Sequence, residues 1–306
     1  MRAFVAKVLV IVGCMLVVPH VAFADKDADS FYKEGLAYKQ EGKTDEAIKA
    51  FEAAVAANPK HGSSWAALGN LYKAKQDLAK SIDAYEHAVQ LIKKDAVIWT
   101  NLGTAYANTN RLDDALKALT TASGLSPKDP EIRGKLGTVR RKKGDYPGAI
   151  ADLEFAAKAK PSDATYQHNL GVAYRYAKRD DEAIVSLKKA IELAPNEAQY
   201  HFDLAVAYRR TSEKKPDNIA LAIASYEKAT ALDPGNADGW FDLGFMYKQD
   251  HQNDKSIEAL NKYLEITKGK DAAATKRVEE EIGGMGGTPV SKGKPKDPPK
   301  KPAPKK

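Results

Sequence analysis

The sequence predicts an all-α fold, a helical-repeat solenoid in which helical hairpins stack along the chain. One observation is a pentad that recurs as LGNLY, LGTAY, LGVAY and LGFMY. A second is a glycine series with a constant spacing of 34 residues, and a third is a pair of apolar helical stripes within each copy. A fixed period of this length indicates repeated hairpins. The glycine series consists of Gly35, Gly69, Gly103, Gly137 and Gly171.

Each recurring residue type has a physical role in such a hairpin. Glycine at the eighth position, and alanine or serine at the twentieth and twenty-seventh, leave room where two helices approach closely. Proline near the thirty-second position cannot continue a helix and therefore ends the second one. Acids at the start of second helices (Asp45, Asp113, Asp181) are expected to accept hydrogen bonds from free backbone N–H groups. A single hairpin cannot bury its apolar faces, so the copies stabilise one another only as a stack.

This pattern resembles the tetratricopeptide repeat family, whose unit is a 34-residue helix-turn-helix. The resemblance implies a right-handed superhelix of seven tandem units within residues 25–270. Unit six holds five extra residues between its helices, and we expect them to form a surface loop. The stretch DAAATKRVEEEI then places Ala274, Val278 and Ile282 on one stripe, which predicts a capping helix over 271–282. The predicted units are 28–61, 62–95, 96–129, 130–163, 164–197, 198–236 and 237–270.

The first 24 residues have the composition of a secretory signal peptide. A short basic segment and an apolar run precede Ala22-Phe23-Ala24, which predicts cleavage after Ala24 and export to the periplasm or cell envelope. The apolar run is too short to span a membrane comfortably. An alternative stays open, in which Cys14 of the stretch IVGC carries a lipid. Cys14 is the only cysteine, so the cleaved chain would have neither a disulfide nor thiol chemistry.

The basic character of the chain belongs to its C-terminal tail. The formal charge is +7, of which the signal peptide supplies two and residues 283–306, with seven Lys and one Asp, supply six. The repeats therefore carry about one net negative charge, which gives no indication of nucleic-acid binding. Gly, Pro and Lys make up 18 of the 24 tail residues, and this composition predicts disorder over 283–306. Such a tail is a candidate for tethering to an anionic envelope surface.

No arrangement of residues with catalytic or metal-binding spacing is recognisable. The histidines form neither a His-x-x-x-His pair nor a cluster with acids, and GGMGG lacks the Lys-Ser/Thr of a phosphate loop. We therefore expect no enzymatic activity, no metal and no cofactor. His201 takes the position where other units have Trp or Phe, and we interpret it as a packing residue.

The family resemblance also implies a binding surface. In this family the first helices line a concave groove, and ligand contacts come largely from their positions 2, 5, 9, 12 and 13. Basic residues recur at the twelfth position and are interrupted only by Ala107. Guanidinium groups bind carboxylates and aromatic rings accept apolar side chains, which favours an extended acidic peptide. A second interpretation is that late-helix basic residues only favour the helix dipole. The candidate groove residues are Arg141, Lys142, His168, Arg175, Tyr176, Phe202, Arg209, Arg210, Phe241, Phe245 and Lys248.

Together these features predict a non-catalytic scaffold in the cell envelope that binds partner polypeptides in its groove. Since the repeat pattern does not use His168, Arg175 and Tyr176, we expect these side chains to be free for recognition. Two alternatives stay open: an outer-membrane-associated lipoprotein that assembles a pilus or secretion complex, and envelope-polymer tethering through the tail.

Overall fold

The structure, a computed structural model, describes residues 27–292 of the chain. These residues form fifteen α-helices and one short 3-10 turn, and this part of the chain contains no strand. The predicted signal peptide, its Cys14 and residues 293–306 of the predicted tail lie outside the described residues. The all-α helical-repeat prediction is confirmed.

Fourteen of the helices pair into seven hairpins, one in each predicted unit, and α15 with the 3-10 turn follows the last hairpin. The pairs are α1 Ala28–Gln40 with α2 Thr44–Ala57, α3 Gly62–Ala74 with α4 Leu78–Leu91, α5 Ala96–Asn108 with α6 Leu112–Leu125, α7 Pro130–Lys142 with α8 Tyr146–Ala159, α9 Ala164–Tyr176 with α10 Asp180–Leu193, α11 Ala198–Thr211 with α12 Asn218–Leu232, and α13 Ala237–Gln249 with α14 Asn253–Thr267. Helix α15 is Ala272–Gly284 and the 3-10 turn is Val290–Lys292.

The chain divides between Ile92 and Lys93 into two compact bodies. The N-terminal body contains α1–α4, and the C-terminal body contains α5–α15. Lys93 occupies the position that carries proline in five other repeats. The candidate groove residues all belong to the C-terminal body.

Within each hairpin the recurring small residues sit where the two helices touch. A Cβ atom added to Gly171 would lie 2.6 Å from Cγ of Leu187, much closer than ordinary van der Waals contact. Two hairpins carry serine at the twentieth position, and the hydroxyls of Ser81 and Ser256 donate to the carbonyls of Gly69 and Gly244 at 2.8 Å. These buried serines are tolerated because they are satisfied inside the hairpin.

The fourth position of the first helix makes a recurring hydrogen bond. The indole N–H of Trp65, Trp99 and Trp240 donates to a carbonyl six residues earlier, at 2.9–3.0 Å. His201 repeats this contact, with its Nε2 at 2.8 Å from the carbonyl oxygen of Pro195. The ring of His201 therefore makes the same contact as an indole, as its position in the repeat predicts.

The acids at the start of the second helices have different partners from those expected. Helices α2, α6 and α10 begin without a side-chain cap hydrogen bond. Instead, Asp45 accepts from Lys75 at 2.5 Å and Asp181 accepts from Lys215 at 2.6 Å, each in the following repeat. Asp113 and Lys143 form the equivalent pair. The capping prediction is wrong for these acids, which link neighbouring hairpins through exposed ion pairs.

The insertion in the sixth repeat forms the predicted surface loop. Helix α11 ends at Thr211, residues 213–217 are exposed, and α12 begins at Asn218. The amide of Asn218 donates to the hydroxyl of Thr211 at 2.7 Å, so the loop closes on a short polar contact.

The C-terminal end is ordered further than its composition predicts. Helix α15 ends two residues beyond the expected boundary, and its Val278 and Ile282 are fully buried in a cluster with side chains of α14. The chain then turns back, and the N–H of Val290 donates to Oδ1 of Asn261 at 2.9 Å. The disorder prediction is therefore wrong for 283–292. Gly286 adopts the left-handed conformation required for this turn (φ 83°), so this glycine serves the fold.

A candidate binding face on the first helices

The candidate residues all lie on the first helices α7, α9, α11 and α13. With α5 these helices form one face of the C-terminal body, which we call the first-helix face, and consecutive members from α5 to α11 are neighbours. A recurring contact on this face joins the twelfth residue of one repeat to the sixth residue of the next. We call this contact a rung.

The rung between repeats five and six is closed. Arg175 Nη2 lies 3.0 Å from Oδ1 of Asp203, whose residue is only 4% exposed. The other carboxylate oxygen is 2.9 Å from Nε2 of His168 and accepts from the amide of Gln199 at 2.9 Å. The His168 ring also stacks on Tyr200, with centroids 4.4 Å apart. Three side chains thus bind a single buried acid, and the Tyr200 ring packs against one of them.

The surroundings of Asp203 keep it ionised. Burial would raise the pKa of its carboxyl, but the hydrogen bonds from His168 and Gln199, together with the charge of Arg175, outweigh burial and hold the pKa below its ordinary value. His168 and Arg175 are therefore committed to an internal acid, and the expectation that they are free for recognition is wrong.

The rung between repeats six and seven is also closed, though less tightly. Arg209 Nη2 lies 3.4 Å from Oδ2 of Asp242, and the hydroxyl of Tyr226 donates to the same oxygen at 2.9 Å. Burial raises the pKa of Asp242 despite the nearby Arg209. Phe202 packs edge-to-face on Tyr226 with centroids 5.7 Å apart, so this ring is largely committed to the core.

Three further candidates face the capping helix, and one pairs with a neighbouring repeat. The guanidinium carbon of Arg277 on α15 lies 5.9 Å from the ring of Phe241 and 5.0 Å from that of Phe245. Lys248 pairs with Glu281 of the same helix. Arg210, in turn, donates through Nε to Asp180 at 2.8 Å. These four side chains already have partners within the described chain.

The rung between repeats four and five is open. Its twelfth-position residue is Arg141, but the sixth position of the next repeat holds Asn169, where the closed rungs have Asp203 and Asp242. The Arg141 side chain makes no ion pair or hydrogen bond with residues 27–292, and its buried Nε has no acceptor there. Burial lowers the pKa of this guanidinium. Arg141 is thus a half-buried cation whose charge no neighbouring carboxylate neutralises directly.

An exposed aromatic ring lies beside this cation. Tyr176 is 48% exposed and stacks on Tyr146, with centroids 5.8 Å apart and planes at 16°. The guanidinium carbons of Arg175 and Arg141 lie 4.8 and 5.9 Å from its centroid. The ring therefore offers an accessible, cation-flanked surface next to the open rung.

A cavity of about 340 Å³ lies between α5, α7 and α9, with the exposed Lys142 on its wall. Thr104 and Ala107 supply small, neutral side chains from repeat three, and Asn169 of the open rung also lines it. Gly134 leaves room for the Tyr166 ring, which a Cβ atom there would overlap. The open rung thus adjoins a recess large enough for a side chain of a partner.

Sequence reasoning alone missed Asp203, Gln199 and Asn169. The signal was nevertheless present, because each twelfth-position basic residue can be compared with the sixth residue of the next repeat. That comparison separates Arg175 and Arg209, whose equivalent sixth positions hold Asp203 and Asp242, from Arg141, whose equivalent sixth position holds Asn169.

Within residues 27–292, no group of three or more His, Cys, Asp or Glu side chains is placed to hold a metal ion. No described helix combines the length and apolar character needed to cross a bilayer.

Comparison with known proteins gives consistent matches. A family model described as the cilia and flagella-associated protein 70 C-terminal domain matches residues 19–239, and one described as tetratricopeptide repeat matches residues 225–260. No curated protein matches the sequence.

Many solved structures resemble the chain, including the following three. A tetratricopeptide repeat protein from Parabacteroides merdae ATCC 43184 has 16% identity and a TM-score of 0.60, and the match covers 83% of this chain and 98% of that one. MamA has 26% identity and a TM-score of 0.52, with 56% and 94% covered. YrrB, described as a TPR protein with an unusual peptide-binding site, has 22% identity and a TM-score of 0.52, with 65% and 99% covered. These likenesses establish the fold.

Proposed function

The chain belongs to the tetratricopeptide-repeat family, since a model of that repeat matches residues 225–260 and solved proteins with the same repeat share its fold. From this premise we propose that the chain is a non-catalytic scaffold that binds a partner polypeptide on the first-helix face. The observation that carries the proposal is the open rung, where Arg141 is half buried without a counter-charge among the described residues. Burying an unpaired cation is costly, so such a group is best explained by a partner that neutralises it.

The surroundings of the open rung favour an extended peptide. A cavity for one side chain lies on one side, and the exposed ring of Tyr176 lies near the guanidinium. Aromatic and arginine side chains are the types that contribute most binding energy in protein interfaces. The fold can carry such a site, as the description of YrrB indicates for that protein.

Recovery of partners by crosslinking tests this function. Full-length protein would be crosslinked in cell-envelope extracts as wild type, as Arg141→Glu with Tyr176→Ala, and as a matched control, Lys158→Glu, at an exposed position on the second helix α8. The double variant should lose the partners that wild type and control recover. Equal recovery from all three would overturn the assigned site, and no recovery from any would overturn the scaffold function.

The location in the cell envelope is part of the proposal, supported by the composition of residues 1–24 and by the basic tail. The stretch IVGC favours the alternative of a lipoprotein assembly factor, in which Cys14 is acylated. Mass spectrometry of the mature N-terminus separates them, because a start at Asp25 supports the soluble exported scaffold and an acylated Cys14 supports the lipoprotein. Tethering by the tail requires that deleting 293–306 releases the protein from envelope fractions, and unchanged association would exclude it.

A further inference from the structure

We infer that the open rung binds one carboxylate from an acidic side chain of the partner, with Arg141 as the recognising cation and Asn169 as the residue that keeps the position vacant. The inference rests on the proposed function, because it names the chemistry of the partner at the same face. It adds that one acid binds, and that the residue at the sixth position of repeat five decides whether the site is available.

The buried and half-buried charges around the rung leave a surplus of one cation, since the neighbouring Lys142 is exposed to solvent. Arg175 and Asp203 balance each other at 3.0 Å. The guanidinium of Arg141 interacts electrostatically with Asp203, yet it makes no ion pair with any residue in 27–292. One carboxylate from outside would balance the cluster. A phosphate dianion would exceed the surplus and would approach the buried charge of Asp203, so a carboxylate is the better match.

Two buried donors also lack acceptors. Nε of Arg141 and Nε of Arg175 are both buried without a hydrogen-bond partner among the described residues. A guanidinium presents its donors in a planar fork that suits the two oxygens of a carboxylate. An acidic side chain bound to Arg141 would therefore supply both the missing charge and a missing acceptor, while an adjacent apolar side chain of the partner would meet Tyr176.

Comparison of the repeats identifies Asn169 as the residue that decides whether the site is available. At the sixth position, repeats six and seven place an aspartate against the preceding arginine, and repeat five places Asn169 there. Changing Asn169 to Asp would give Arg141 an internal partner of the same kind. We therefore expect Asn169→Asp to close the site while the recognising cation, Arg141, is retained.

Peptide-display selection on the full-length protein tests the inference. The variants are Asn169→Asp, Arg141→Gln and a matched control, Asn108→Asp, which adds the same charge elsewhere on the cavity wall. Thermal unfolding verifies that each variant is folded. A selected peptide would then be measured with its acid unchanged, replaced by Gln and replaced by phosphoserine.

We expect wild type to select peptides that share one Asp or Glu, and replacing that acid by Gln should weaken binding about tenfold. The same replacement should have almost no effect on Asn169→Asp and Arg141→Gln, and its full effect on Asn108→Asp. Selected peptides without a shared acid would overturn this inference and leave the scaffold function standing. A gain of about tenfold or more with phosphoserine would overturn the choice of carboxylate. Selection of no peptide at all would overturn the proposed function itself.

Discussion

Two neighbouring rungs of the first-helix face differ at one decisive residue. Arg175 and Arg141 occupy the same position in adjacent repeats, but the next repeat offers Asp203 to the first and Asn169 to the second. The first arginine becomes part of a buried network, whereas the second has no carboxylate partner in the described chain. The role of a twelfth-position arginine on this face is therefore set by the following repeat and not by its own.

Removing Asp203, the acid of the closed rung between repeats five and six, should have the largest effect on stability. Asp203→Ala leaves Arg175 and His168 buried without their partner, which should lower the free energy of unfolding by about 3 kcal/mol. Asn169→Ala removes the matched side chain from the open rung, and we expect a loss of about 0.5 kcal/mol. Hydrogen exchange of the amides of α9 and α11 measures both. Similar losses for the two variants would mean that the rungs do not differ energetically.

Placing an aspartate at the sixth position of repeat five should stabilise the protein, in contrast to the removal of Asp203. Asn169→Asp should pair with the half-buried Arg141 and raise the free energy of unfolding by about 1 kcal/mol, whereas Asn108→Asp should change it little. Urea unfolding of both variants against wild type gives the comparison. Destabilisation by Asn169→Asp would show that the sixth position of repeat five cannot take the aspartate geometry of its neighbours.

The two closed rungs should respond to pH with opposite signs. The lowered pKa of Asp203 means that its stabilisation is present above the unfolded value of about 3.9 and is lost as the pH falls through the folded value. The raised pKa of Asp242 means that its contribution is present at low pH and declines as the pH rises through the folded value.

Urea unfolding of Asp203→Asn and Asp242→Asn between pH 7 and about pH 2 measures this difference, because Asp203 titrates below its unfolded pKa of about 3.9. The amount by which the free energy of unfolding of Asp203→Asn lies below that of wild type should shrink as the pH falls. Over the same range, the free energy of unfolding of wild type should instead rise relative to that of Asp242→Asn as the pH falls. The same trend for both variants would contradict the contrast between the two rungs.

The exposed pairs between hairpins should have the smallest effect. Asp113→Asn removes the partner of Lys143 at the surface, and we expect a loss of about 0.5 kcal/mol that disappears in high salt. Thermal unfolding at low and high ionic strength measures it. A loss comparable with that of Asp203→Ala would show that burial is not what distinguishes the rungs from these surface pairs.

Much of the fold was predictable because the repeat fixes it locally. The close approach at Gly171 and the burial of Val278 and Ile282 both follow from residue spacing. The order of 285–292 was not predictable, because it depends on a hydrogen bond from Val290 to Asn261, 29 residues earlier, within a stretch of disorder-like composition.

The candidate site was only partly predictable. The positions on the face could be projected from the repeat, and Arg141, Lys142 and Tyr176 remain candidates there. Whether an arginine on that face is free depends on a contact between repeats, and a pattern read within one repeat does not contain it. Arg175 and His168 were therefore misread, since their partner Asp203 is 28 and 35 residues further along the chain.

Asn169 also has an evolutionary consequence. Asparagine and aspartate codons differ by a single base, so one point mutation would convert an open rung into a closed one, or the reverse. Such a mutation alters neither the small residues nor the apolar stripes that hold the hairpins together. A lineage of these proteins could therefore gain, lose or relocate an acid-binding position along the array, one repeat at a time, with a cost in stability where a buried aspartate is removed.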